Sequence, residues 1–165
     1  IQMKNYTHAT EYRLPVAPSP NLPNQQSINL YPSLCFFEGT TVSLGRGTDF
    51  PFQHFGAPYL KSNYTFIPRS RSEAPTPKHQ DIECYGEDLR STEKLSRIHL
   101  DWLIFAYKHA PNPKDFFTPF FEQLAGTPDL RIAIQSDRSA DEIRCSWKKS
   151  LNAFQEKRKQ YLMYP

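Results

Sequence analysis

The sequence predicts an α+β fold in which a first half rich in loops and strands packs on three or four C-terminal helices. Ten of the 15 prolines lie before residue 78, and proline disfavours helix because it lacks an N–H group and fixes φ. After Ser91 apolar residues instead recur at the three- and four-residue spacing of amphipathic helices. The chain therefore changes near Ser91 from loops and strands to helices.

Within the first half the sequence predicts one helix and several short strands. Apolar residues from Gln25 to Glu38 favour a buried helix, although Pro32 falls inside it, and Gly39 is a natural end. Four of the six glycines lie between residues 39 and 60, which indicates strands interrupted by tight turns. Residues 69–80 are polar and contain prolines, so they predict a surface loop. Further short strands are expected over residues 1–6, 64–68 and 81–89.

The second half carries start signals for its helices. An apolar repeat beginning at Leu95 predicts the first helix. A second is expected over residues 114–125, where Pro119 indicates a kink or a late start. Ser139 and Glu142 form a capping box that opens a long helix. The stripe of that helix consists of Ile143, Trp147, Leu151, Phe154, Arg158 and Tyr161.

The composition excludes several classes of function. No apolar run approaches the roughly 18 residues of a membrane span. The net charge is only +3 and no run of five like charges occurs, so no nucleic-acid-binding surface is expected. The three cysteines, Cys35, Cys84 and Cys145, have neither the number of a disulfide framework nor metal-ligand spacing. We therefore expect no metal and no cofactor.

Glu38 is the candidate acid. It ends the apolar helix directly before Gly39, and its neighbours Phe36 and Phe37 predict a partly desolvated carboxyl, which suits a general acid. The alternative is a structural ion pair with Arg46.

The segment Gly45-Arg46-Gly47-Thr48 predicts a tight turn. It lacks the third glycine of a dinucleotide loop and the lysine of a P-loop, so a nucleotide site is disfavoured. The two glycines hold the backbone, and Arg46 presents a planar guanidinium to a carboxylate that is either internal or part of a ligand. His54, which lies between Phe52 and Phe55, is either a ligand contact or a satisfied structural histidine.

A series of short motifs follows in a specific order and spacing along the chain, from about residue 4 to the C-terminus. The motifs are Pro18-Ser19-Pro20-Asn21-Leu22-Pro23, Tyr31-Pro32, Glu38-Gly39-Thr40, Gly45-Arg46-Gly47-Thr48, Pro51-Phe52, Phe55-Gly56-Ala57-Pro58, Cys84-Tyr85-Gly86, Asp88-Leu89, Leu124-Ala125-Gly126-Thr127, Ile143-Arg144, Ser146-Trp147 and Tyr161-Leu162. Together they resemble the exo-β-N-acetylmuramidase family, glycoside hydrolase family 171, formerly a bacterial domain of unknown function.

The resemblance implies a two-part peptidoglycan-recycling enzyme that releases N-acetylmuramic acid from non-reducing ends. Residues 1–10 would be the last strand and linker of an N-terminal Rossmann-like domain, and residues 11–165 the C-terminal domain that forms one wall of the cleft. The expected partners are muropeptides and its own N-terminal domain, and residues 1–165 alone are expected to be inactive. Such enzymes act outside the cytoplasm, so an extracytoplasmic location is expected.

The resemblance also implies roles for residues within the motifs. Glycoside hydrolysis generally needs two carboxyl groups; Glu38 is the candidate for one, and the second is expected from the N-terminal domain. Arg46 would bind the lactyl carboxylate of muramic acid, and Tyr85 would stack on a sugar. The expected substrate contacts are Ser19, Asn21, Arg46, Thr48, His54 and Tyr85. A non-catalytic carbohydrate-binding module and a protein-interaction domain remain the alternatives.

Overall fold

A small antiparallel sheet and a set of helices form the part of the chain that the structure, a computed structural model, describes: residues 4–5, 7, 10 and 12–163. The fold is the α+β class that the sequence predicts, with one α-helix before the strands and the other four after them in the described residues. The expected strand over residues 1–6 falls largely outside the described residues. The elements are α1 (Gln25–Leu34), β1 (His54–Ala57), β2 (Tyr64–Phe66), β3 (Cys84–Asp88), α2 (Asp101–Lys108), α3 (Phe120–Ala125), α4 (Asp129–Gln135) and α5 (Ala140–Arg158), with 3-10 helices at Cys35–Gly39 and Lys159–Tyr161.

The sheet has the strand order β1-β3-β2, and both pairings are antiparallel. Gly56 and Gly86 lie opposite each other at its centre. A Cβ atom on Gly56 would lie 2.8 Å from the ring of Phe66, so the absence of side chains here makes room for that ring. Phe66 stacks on His54 with ring centroids 4.1 Å apart. Gly56 thus allows an aromatic side chain to cover one face of the sheet, whereas a Cβ atom on Gly86 would overlap the Phe55 carbonyl.

The opposite face of the sheet meets the main core. Phe55 is fully buried and stacks on Phe37, with centroids 4.9 Å apart, and Trp102 of α2 lies 6.4 Å from Phe55. Burial of such large aromatic side chains is a major stabilising contribution in a domain of this size. Helix α2 therefore packs against the core side of the sheet, so the loop-rich half rests on the C-terminal helices as the sequence predicts.

Helix α2 begins at Asp101, later than the apolar repeat indicates. Leu95 lies before the helix, and its backbone is bound by the side chain of Asn29, which accepts from the Leu95 N–H at 2.8 Å and donates to its carbonyl at 3.0 Å. Ser33 accepts from the N–H of His99 at 2.9 Å. Side chains of α1 thus replace the hydrogen bonds that a longer helix would make.

Helices α3 and α5 begin where Pro119 and the capping residues in the sequence predict. Helix α3 starts at Phe120, directly after Pro119, which confirms the late start. At the start of α5 the Ser139 N–H donates to the Glu142 carboxylate at 2.8 Å, and the Ser139 hydroxyl accepts from the Glu142 N–H. The predicted capping box is therefore present. None of the helices in the described ranges is long and apolar enough to cross a membrane.

Candidate functional site

Glu38 and Arg46 lie side by side at the surface. Glu38 belongs to the 3-10 helix after α1, and Arg46 to the glycine-flanked turn. The guanidinium Nη2 donates to Glu38 Oε2 at 2.9 Å; the Arg46 side chain is 39% exposed and the Glu38 side chain 24% exposed. The structure thus brings together the two leading candidates, and it shows the ion pair that sequence analysis gives as the alternative to a ligand contact.

Aromatic rings surround this ion pair. The Arg46 guanidinium lies 5.1 Å from the ring centre of Phe52, and Tyr31 lies 5.2 Å from the same ring. Burial raises the pKa of Tyr31, and the nearby Glu38 carboxylate adds to this. We call Tyr31, Glu38 and Arg46 together the Glu38 surface, beneath which Phe52 is fully buried. It combines an acceptor, a cationic donor and one exposed aromatic ring, that of Tyr31, a set of groups that can bind a ligand carboxylate.

Lys78 is a site residue that sequence analysis missed. Although the residue as a whole is exposed, its ammonium turns inward and donates to the backbone carbonyls of Phe37 and Glu38, both at 3.0 Å, and to that of Thr40. Burial lowers the pKa of Lys78 to about 8, and the Glu38 carboxylate opposes the shift. Lys78 therefore fixes the backbone that carries Glu38. No local signal could have identified it, because its partners are distant in sequence.

His54 is 1% exposed, and both of its ring nitrogens have partners. Nε2 lies 3.0 Å from the Thr48 hydroxyl and Nδ1 lies 2.7 Å from the Tyr64 hydroxyl. Because the Thr48 hydroxyl donates its hydrogen to the Gly45 carbonyl at 2.7 Å, it must accept from His54 Nε2–H. Nδ1 then accepts from Tyr64.

The imidazole is thus neutral and held in one tautomer. Burial lowers the pKa of His54 to about 4, although the Asp88 carboxylate acts in the opposite direction. No ring nitrogen is free for a ligand in this arrangement, so the geometry favours a structural histidine. The expected substrate contact through His54 stays a prediction, and so does that through Thr48, whose hydroxyl is engaged with His54 and Gly45.

The flanking glycines of the turn are required by close packing. Gly45 has φ +71° and Gly47 has φ +82°, a region that other residues rarely adopt. A Cβ atom on Gly45 would overlap the His54 ring, and one on Gly47 would overlap the backbone of Arg69. The turn that presents Arg46 is therefore clamped between His54 and the 69–80 loop.

Ser19 and Asn21 belong to a neighbouring loop. The Ser19 hydroxyl accepts from the Asn21 N–H at 3.2 Å, and the Asn21 side chain donates to the Glu73 carbonyl at 3.2 Å. Arg71 in turn pairs with Asp49 at 2.8 Å. The Ser19–Asn21 loop is thus connected to the Thr48 turn through residues 71–74, and a shared concave surface with Glu38 stays a prediction.

Tyr85 lies on β3 and lines a different, shallow concavity. Its hydroxyl donates to Glu83 at 2.8 Å. Neither Glu38 nor Arg46 lines this concavity. The structure therefore does not place Tyr85 beside these two residues, and its stacking on a sugar stays a prediction. The lining residues are Pro58, Tyr59, Leu60, Lys61, Ser62, Asn63 and Tyr85. Among the residues that the structure describes, no group of three or more His, Cys, Asp or Glu side chains is arranged to hold a metal.

Residues 29–164 match the family model described as "Exo-beta-N-acetylmuramidase NamZ, C-terminal". The chain belongs to this family. It is 35% identical to the peptidoglycan beta-N-acetylmuramidase NamZ of Bacillus subtilis (strain 168), in an alignment that covers 99% of the chain and 45% of that protein. Membership of the NamZ C-terminal family confirms the resemblance read from the motifs and supports a glycoside hydrolase context.

Two solved structures of DUF1343 family proteins from Bacteroides fragilis NCTC 9343 share the fold. One is 49% identical to this chain with a TM-score of 0.90, and the matched region covers 98% of this chain and 47% of the Bacteroides chain. The other is 17% identical with a TM-score of 0.71, covers 91% and 45%, respectively, and supports the fold alone. The NamZ-family chain described here thus spans about half the length of the relatives that it matches.

Proposed function

We propose that this chain is the C-terminal part of an exo-β-N-acetylmuramidase that releases N-acetylmuramic acid from the non-reducing ends of peptidoglycan fragments. Under this proposal the Glu38 surface forms one wall of the active-site cleft, and an N-terminal domain forms the other. Family membership supports the reaction class, and the partly exposed Glu38–Arg46 pair is the observation that carries the site. The full-length enzyme acts outside the cytoplasm, where peptidoglycan lies.

Glu38 serves as one of the two carboxyl groups, or as an acceptor for a sugar hydroxyl. Only Oε2 is engaged by Arg46, so Oε1 remains available to a ligand. Glycosidases place their two carboxyl groups about 5 to 9.5 Å apart on either side of the bond that breaks. The second carboxyl therefore comes from the N-terminal domain, across the cleft from Glu38.

Arg46 binds the lactyl carboxylate that distinguishes muramic acid from other amino sugars. One of its guanidinium nitrogens holds Glu38, and the ring of Phe52 lies beneath the group. A guanidinium carries five N–H donors, so donors remain for a ligand carboxylate. Phe52 and Glu38 fix the orientation of the planar Arg46 guanidinium before the substrate binds, which reduces the conformational entropy lost on binding.

The replacement of Arg46 by lysine in the full-length protein tests the proposal. Lysine keeps the charge but cannot form two parallel hydrogen bonds to a carboxylate. The loss of such a contact is worth about 1.5 to 3 kcal/mol, so kcat/KM for release of N-acetylmuramic acid should fall roughly 10- to 150-fold. The matched control is Arg131→Lys, since Arg131 forms a similarly exposed ion pair with Glu122 between α3 and α4.

The control should keep the activity of the parent, and both variants should lose similar thermal stability. Unchanged kinetics in Arg46→Lys with a lowered melting temperature would make Arg46 a structural residue and remove the proposed substrate contact. No release of N-acetylmuramic acid by the unaltered full-length protein would refute the reaction itself.

A further inference from the structure

The second half of α5 has no covering in this structure. The helix spans Ala140–Arg158, a length of about 28 Å. Ala140 and Ile143 at its start are buried, and Trp147 packs partly against the core. From Lys148 to Met163 every residue is exposed. The helix is therefore anchored by its first turns and extends away from its own core.

The exposed part nevertheless carries an apolar stripe. Leu151, Phe154 and Tyr161 are 49%, 59% and 72% exposed, respectively. Leu151 and Phe154 continue from Trp147 at steps of four and three residues, so they lie along one side of α5. The same spacing passes through the polar Arg158 to Tyr161, in the 3-10 helix that follows α5. We call Leu151, Phe154 and Tyr161 the α5 stripe. Large apolar side chains grouped on one exposed face are typical of a contact surface.

We infer that the α5 stripe packs against the N-terminal half of the same polypeptide, and this inference rests on the proposed function. The relatives are about twice as long as this chain, and the family model that it matches is the C-terminal one. In those relatives a further portion therefore precedes the matched part. A covalently attached domain is held at a high effective concentration, so it can cover a modest apolar stripe that a free partner would leave exposed.

The charge around the stripe argues against a second copy of this chain as the occupant. Between Trp147 and Met163 there are five basic residues and one acidic residue, Glu156. Two copies that paired through this helix would bring like charges together, and such contacts are destabilising. The fitting surface on the N-terminal half is an apolar strip bordered by acidic side chains or carbonyl groups.

Hydrogen exchange in the full-length protein tests the inference. The test variant is Leu151→Glu/Phe154→Glu, and the matched control is Asn152→Glu/Ala153→Glu, which adds the same charge to the opposite side of the helix. In the parent and the control, amides of residues 148–163 should exchange slowly. In the test variant they should exchange at least about tenfold faster, together with a patch in the N-terminal half.

Fast exchange in the parent, or an equal effect of the two double variants, would overturn the inference. A parent that sediments as a dimer and a test variant that sediments as a monomer would assign the stripe to a second copy instead. Release of N-acetylmuramic acid is measured in parallel. Protection of residues 148–163 from exchange without hydrolysis would refute the proposed function but support this interface. Hydrolysis without such protection would refute this interface but support the proposed function.

Discussion

Replacement of Gly45 by alanine should destabilise the chain far more than replacement of another glycine with the same backbone conformation. Gly45 has φ +71°, and a Cβ atom there would overlap the imidazole of His54. The ring cannot move aside freely, because Thr48 and Tyr64 hold its nitrogens and Phe66 stacks on its face. The added methyl group must therefore break this arrangement.

The size of the effect follows from the contacts that are lost. An alanine in the left-handed region costs about 1 to 2 kcal/mol. Displacement of His54 forfeits two hydrogen bonds of about 1 kcal/mol each and an aromatic stack worth about 0.5 to 1.5 kcal/mol. The total is about 3.5 to 5.5 kcal/mol. For a domain of this length each kcal/mol lowers the melting temperature by about 2 to 4 °C, so Gly45→Ala should lower it by about 7 to 22 °C.

Gly126 supplies the control, because it has φ +74° and no atom lies within 4 Å of the position of its Cβ. Gly126→Ala incurs only the backbone cost of about 1 to 2 kcal/mol, so its melting temperature should fall by about 2 to 8 °C. Thermal and urea unfolding followed by circular dichroism measure both variants. Equal destabilisation by the two substitutions would show that the contact with His54 does not matter.

A double-mutant cycle with His54→Ala separates the clash from the backbone strain. The three atoms nearest to the Cβ position all belong to the His54 ring, so without the ring Gly45→Ala should cost only about 1 to 2 kcal/mol. Additive effects of the two substitutions would refute the reasoning.

Two further predictions concern His54 and α5. Burial lowers the pKa of His54 from 6.5 to about 4. Between these pH values the unfolded chain therefore binds a proton at His54 and the folded chain does not. The contribution of His54 to the free energy of unfolding is full above pH 6.5 and should fall by up to about 3 kcal/mol as the pH drops to 4. Urea unfolding across this range should show a shallower pH dependence in His54→Gln, and identical slopes would contradict the assignment. Ser139→Ala removes the cap of α5 and should destabilise the chain by about 1 kcal/mol, whereas Ser150→Ala, in the exposed middle of that helix, should not; equal melting temperatures for the two variants would contradict this.

Elements with local signals could be predicted from the sequence. The capping box at Ser139 and the break at Pro119 lie where the sequence places them, since each depends on a few adjacent residues. The helical segment predicted over residues 25–38 does end at Gly39, but it is an α-helix only to Leu34 and continues as a 3-10 helix. The start of α2 could not be predicted, because Asn29 binds the backbone of Leu95 from 66 positions away. The periodicity near Leu95 reflects burial outside a helix.

The candidate site divides in the same way. The proximity of Glu38 and Arg46 could be anticipated from neighbouring motifs on two turns. The engagement of His54 and the role of Lys78 depend on chain segments that meet only in the folded state, and no spacing in the sequence encodes such meetings.

The 69–80 loop is the element whose importance the sequence least reveals. The backbone N–H of Arg69 donates to the Gly47 carbonyl at 2.9 Å, and the Arg71 side chain pairs with Asp49, so this loop fixes the C-terminal side of the Arg46 turn. The Glu73 carbonyl receives the Asn21 side chain, and Lys78 binds the carbonyls around Glu38.

One exposed, proline-containing loop thus contacts each of the three segments that carry the main candidate residues. Two of these segments are loops, and the third, which bears Glu38, is only a short 3-10 helix. None of them is long enough to hold its own side chains rigidly. Their relative positions depend on the 69–80 loop, because binding groups on loops are ordered by contacts with neighbouring structure. Substitutions in this loop should therefore alter the site without any contact with a ligand.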